Sequence, residues 1–132
     1  MSSILQKQIG TSVPTGIPLN IGETFACYTG RCEVTAPTVR AIIRAWALIT
    51  TGSGNTGMVL RIRRGSGLTG PSVAGGYVLN MAAGVNADTH LIFAESLNNA
   101  EFADYSLTLM PQGANAAGLI NISSIEVELI NG

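Results

Sequence analysis

Residues 37–51 read Pro-Thr-Val-Arg-Ala-Ile-Ile-Arg-Ala-Trp-Ala-Leu-Ile-Thr-Thr, and the fold turns on whether this run is a helix or a strand. As a helix it places Val39, Ile42, Ile43, Trp46 and Ile49 on one face and Arg40 with Arg44 on another. Pro37 and Gly52 would punctuate such a helix at its two ends. As a strand it has Val39, Ala41, Ile43, Ala45, Ala47 and Ile49 in one row and Arg40, Ile42, Arg44, Trp46 and Leu48 in the other. Local pattern favours the helix; the downstream residues favour the strand. Thr50 and Thr51 are β-branched, Gly52-Ser53-Gly54-Asn55 reads as a turn, and Met58 to Arg64 alternates cleanly. A long hairpin of 39–51 with 57–64 accounts for all of these signals, so the segment is read as strand.

Working outward, Ser3 to Ile9 reads as a short strand or arm, and Gly10, Pro14, Gly16 and Pro18 keep the chain irregular up to residue 20. Ile21 to Tyr28 alternates as a strand. Thr29-Gly30 would turn it into Arg31 to Thr35, which sets Cys27 opposite Cys32. Beyond residue 64 come a glycine-rich loop at 65–76, a short strand at 77–81 and a turn around Gly84. Alternating strands occupy 89–95 and 104–110, then a last long one 120–130. Strands this short and this regularly spaced predict an all-β, single-domain, jelly-roll-like antiparallel β-sandwich, residues 21–132, with an extended N-terminal arm at 1–20.

Composition narrows the function. The chain has 132 residues and only 15 Asp, Glu, Lys and Arg, while 47 are Gly, Ser, Thr or Asn. High hydrophobicity with little net charge excludes a disordered chain. The longest apolar run, Ala41 to Ile49, is broken by Arg44 and is too short to cross a bilayer as a helix, so no membrane partner is expected. Met1-Ser2-Ser3 begins nothing that resembles a secretory signal. Net charge is −1, but residues 1–64 carry +5 and residues 65–132 carry −6. With overall charge balanced and six of seven cations Arg, the split points to ion pairing within or between chains rather than to nucleic acid.

Motifs for chemistry mostly fail. Gly65-Ser66-Gly67-Leu68-Thr69-Gly70 matches a dinucleotide-binding spacing, yet Pro71 and Gly75-Gly76 stand where a helix would have to start. Cys27 and Cys32 lack the spacing and the further ligands of a zinc site; a cross-strand disulfide and two free thiols both remain open. His90 is the sole histidine, and no Gly-x-Ser-x-Gly elbow is present. No enzyme activity, metal or cofactor is therefore expected. Asn121-Ile122-Ser123 is a glycosylation sequon, but it falls within a strand. The best interaction candidates are Arg61, Arg63 and Arg64, which could meet the acidic row of Glu126 and Glu128 or else phosphates.

The run Trp46 to Gly65, with its Thr/Gly turn and Leu60-Arg61-Ile62-Arg63-Arg64-Gly65, resembles small virion structural proteins of tailed bacteriophages. Tyr105-Ser106-Leu107-Thr108-Leu109 and the closing Ser124-Ile125-Glu126-Val127-Glu128-Leu129 resemble them too. The similarity covers roughly 39–64 and 104–130. It implies a jelly roll that trimerises and decorates capsids, or forms the head of a fibre, with no catalytic residues. The expectation is a capsid decoration protein: a homotrimer bound to the major capsid protein or another virion component, assembled in the host cytoplasm. The alternative is a carbohydrate- or receptor-binding fibre head using Trp46 and Tyr77.

Overall fold

The computed structural model describes residues 4–11, 17–19, 23–51, 56–81, 86–112 and 118–131. The turns expected at 52–55 and around Gly84, and most of the irregular stretch at 10–20, lie outside them. Residues 37–51 settle as a strand: β5 spans Thr38–Thr51. Its row of Val39, Ala41, Ile43, Ala45, Ala47 and Ile49 is buried; in its other row Ile42, Trp46 and Leu48 are half-covered, and Arg40 and Arg44 are exposed. The helical spacing in the sequence arises because both rows carry apolar residues.

Every pairing is antiparallel, and the long strands nest. β1 (Ile4–Thr11) pairs with β11 (Gly118–Asn131), and β3 (Thr24–Tyr28) with β10 (Tyr105–Gln112). β5 pairs with β8 (Asn86–Asn98), and β6 (Thr56–Arg64) with β7 (Ser72–Met81). First thus meets last, and each later strand meets an earlier one, down to the innermost hairpin. Two further ladders, β11 with β5 and β10 with β6, complete sheets of order β1-β11-β5-β8 and β3-β10-β6-β7. β2 (Ile17–Leu19) adds to the far end of β11, and β4 (Cys32–Glu33) pairs with β9 (Phe102–Ala103) as a small clasp. This folded-over hairpin in two layers is a jelly roll. No helix occurs among the described residues.

The two inner faces supply one core, with Ile43, Ile49, Leu60, Ile62, Leu107, Leu109 and Ile125 completely buried. Each such aliphatic side chain contributes about 1.5–3 kcal/mol on leaving water. At one edge the layers close tightly on Gly10: a Cβ there would lie 1.6 Å from the Tyr28 carbonyl oxygen. Only glycine lets β1 pass β3 so closely.

Two expected hairpins do not form. β5 and β6 lie in different sheets, because both edges of β5 are taken by the long ladders to β11 and β8. Nor does Cys27 face Cys32. The chain leaves β3 at Tyr28, the Thr29 N–H donates to the Tyr105 carbonyl at 3.0 Å, and Gly30 turns at φ 84°. Cys27 then lies opposite Leu107 and Cys32 opposite Ala103. The segment expected as an arm, where described, runs along β11 as β1 and β2.

Candidate interaction surfaces

The arginine row of β6 is divided by strand alternation. Arg61 and Arg63 point outward from their sheet, whereas Arg64 shares the inward row of Leu60 and Ile62. Glu23, just before β3, takes both outward arginines. Arg61 Nη1 donates to its Oε1 at 3.0 Å, while Arg63 grips both carboxylate oxygens side-on. The second hydrogen-bonding arm of Arg63 reaches the Gly70 carbonyl at 2.7 Å and so fastens the glycine-rich loop down. The bond from Arg63 holds the Glu23 carboxyl at about 2, against an ordinary 4.5; partial burial opposes this. Thr108 Oγ1 has no partner at hydrogen-bonding geometry, yet it lies near enough to Glu23 to favour the charged form further.

Arg64 turns into the end of the sandwich and meets Glu95 of β8 at 2.5 Å; the buried Tyr105 hydroxyl donates to the same carboxylate. Burial, together with the bond to Glu95, pushes the Tyr105 hydroxyl above its usual range. The triad joins the two sheets, since Glu95 belongs to one and Arg64 and Tyr105 to the other. A carboxylate within the inward row Leu91, Phe93, Glu95, Leu97 is the signal that marks it in the sequence.

Glu126 and Glu128 lie on the outer face of the other sheet, away from the arginines proposed for them. Their cation is Arg44, at 3.2 Å from Glu126 and 3.1 Å from Glu128. The two halves of opposite charge therefore meet in part. Arg44 and Arg64 reach the acidic half, while Arg61 and Arg63 stay with Glu23. Carboxylates of the same chain engage all four.

That outer face, on β1-β11-β5-β8, is the open surface. Ile92 is 67% and Ile9 59% exposed, and Trp46 stands beside His90 with ring centroids 6.4 Å apart. Ladder register lines up Ile9, Glu126, Arg44 and Ile92 as one row across the four strands. Elsewhere Arg31 lies 3.6 Å above the Phe102 ring, and the Tyr28 hydroxyl donates to Asp104 at 3.0 Å, at the clasp end. Cys27 and Cys32 are free and buried; burial raises the Cys27 thiol to about 11 and lifts Cys32 as well. Among the described residues no three His, Cys, Asp or Glu side chains group to hold a metal ion. The side chain of Tyr77 lies outside those described.

Fold and surface together define a jelly-roll β-sandwich in which, among the described residues, Arg44, Arg61, Arg63 and Arg64 pair with carboxylates of the same chain and the outer face of β1-β11-β5-β8 exposes large apolar side chains. No protein-family model matches the sequence, and no characterised protein aligns with it. Among solved structures the fold is similar to Eiger TNF from S. frugiperda: TM-score 0.55, 10% identity, over 92% of this chain and 90% of that one. It is also similar to a chain of the infectious bursal disease virus Gx strain, with TM-score 0.49 and 12% identity over 97% of this chain and 38% of that one. The VP2 subviral particle of the same virus gives 0.41 and 12%, covering 97% of this chain and 40% of that chain. At these identities what is shared is the fold.

Proposed function

We propose that this chain is a non-enzymatic virion structural protein that coats a capsid surface as a closed homo-oligomer. The jelly-roll fold supports this reading. The open face of the β1-β11-β5-β8 sheet carries it: Ile9 and Ile92 stand in solvent there beside half-covered Ile42, Trp46 and Leu48. Large apolar side chains gathered on one exposed sheet face mark a surface meant to be covered. Few charges need desolvation when neighbours cover it, because Arg44, Glu126 and Glu128 already satisfy one another. On a capsid lattice, many such modest contacts add through multivalency.

Purified particles analysed by mass spectrometry test the reading: the chain should be present in a copy number that is a fixed ratio to the major capsid protein. Absence from particles refutes it. A second reading, a glycan-binding fibre head, is favoured by the outward-facing Trp46–His90 pair, since an aromatic plane beside a polar ring suits sugar stacking. Glycan-array binding abolished by Trp46→Ala, with unchanged thermal unfolding, would promote it.

A further inference from the structure

The row Ile9–Glu126–Arg44–Ile92 reads apolar, negative, positive, apolar across the open face. Turned through 180° about an axis running along the strands between β11 and β5, it becomes apolar, positive, negative, apolar. The row is its own complement. We propose that the outer face of the β1-β11-β5-β8 sheet is a two-fold contact between copies of this chain, with Ile9 of each copy against Ile92 of the other.

Glu126 of each copy then faces Arg44 of the other, so the Arg44–Glu126–Glu128 clusters of the two copies merge into one six-charge network. Such isologous, self-complementary patches are what a two-fold axis requires. Of the two flanking rows, one places the Trp46 and His90 rings over the Ser124 and Thr11 positions, and the other places Glu128 over Ile42 and the Lys7 position over Ala94, so no like charges meet in either. The two most exposed aliphatics of the face among the described residues, 59% and 67% open, are the ones brought together. Four strands about 4.8 Å apart and roughly nine residues of length give a flat area of about 500 Å² per copy. Doubled, that is close to the ~1,000 Å² floor for stable interfaces, so assembly belongs in the micromolar range.

The contact rests on the self-association proposed above, and it makes the unit two-fold where the resemblance implies three copies. Light scattering after size exclusion should give about 27 kDa, twice the 13.7 kDa chain, at tens of micromolar. Ile92→Asp, at a position open enough to leave folding intact, should weaken assembly at least tenfold. Cysteine pairing tests the geometry. Chains bearing Ile9→Cys mixed with chains bearing Ile92→Cys should cross-link under copper phenanthroline. Either variant alone should not, because like positions are then about 14 Å apart across three strand spacings. The native thiols are buried and stay out of the reaction. A mass of three chains, an oligomer indifferent to Ile92→Asp, or cross-linking of either variant alone overturns this contact while leaving self-association standing. A monomer at 100 micromolar removes both.

Discussion

Replacing Glu23 by Gln isolates the energetics of one ion cluster. The carboxylate accepts from Arg61 and, side-on, from Arg63, and these hold it at about 2 against an ordinary 4.5. A group whose folded value is depressed stabilises the fold fully above the unfolded value, and that stabilisation fades as pH falls toward the folded one. Linkage across that interval sets a ceiling of about 3.4 kcal/mol at pH 7, falling to about 1.4 at pH 3 and about 0.4 at pH 2. Arg61 is partly open to solvent, at 29% side-chain exposure, so screening reduces these to roughly half. Urea unfolding of wild type and Glu23→Gln at pH 7 and pH 3 in low salt gives the gap directly. All other carboxylates are common to both proteins and cancel. The gap should shrink by about 1 kcal/mol between the two pH values, and 0.5 M salt should narrow it at pH 7. A gap that stays constant with pH would mean that the cluster is not what holds Glu23 ionised.

Tyr105→Phe removes the hydroxyl that donates to Glu95 in the sandwich end, and should cost about 1–2 kcal/mol, seen as a Tm lowered by roughly 3–7 °C. Gly10→Ala, a change that stabilises at an ordinary strand position, should here destabilise by at least about 2 kcal/mol in urea unfolding, because the added carbon meets the Tyr28 carbonyl. A stable Gly10→Ala protein would refute the close passage of β1 over β3. Cys27 and Cys32 should resist a thiol reagent at pH 8 in the native state and react at once in guanidinium, since burial disfavours both thiolates.

The strands were legible in the sequence where their alternation was clean, as in Met58 to Arg64 and Ser124 to Leu129. The inward position of Arg64 comes from that same alternation. The fold class came from strand number and spacing. Pairing did not, because the alternation of a strand says which residues share a face and nothing about which strand lies beside it. The adjacency of β5 and β6 in the chain therefore suggested a hairpin that the ladders to β11 and β8 replace. Ion pairs were hidden for the same reason: Arg44 and Glu126 are brought opposite one another only by the register of β5 on β11. Glu23 offered no signal, since it read as one more residue of an alternating strand from Ile21 to Tyr28 and meets Arg61 and Arg63 through tertiary packing alone. Ile9 and Ile92 were ordinary strand residues until their row across the sheet was known.

The nesting of the strands also orders folding in time. The innermost ladder, β6 with β7, joins neighbours in the chain, whereas the outermost brings Ile4 to Ile130. Each ladder outward from the centre closes a longer stretch of chain, yet once its inner neighbours are in place the additional entropy lost is small. Acquisition of structure should therefore spread from the middle of the chain toward both ends, with β1 docking late. A topology so rich in distant contacts belongs among the millisecond-to-second folders. Until β1 arrives, the edge of β11 stands open, and in a crowded solution another copy's β1 could take that place.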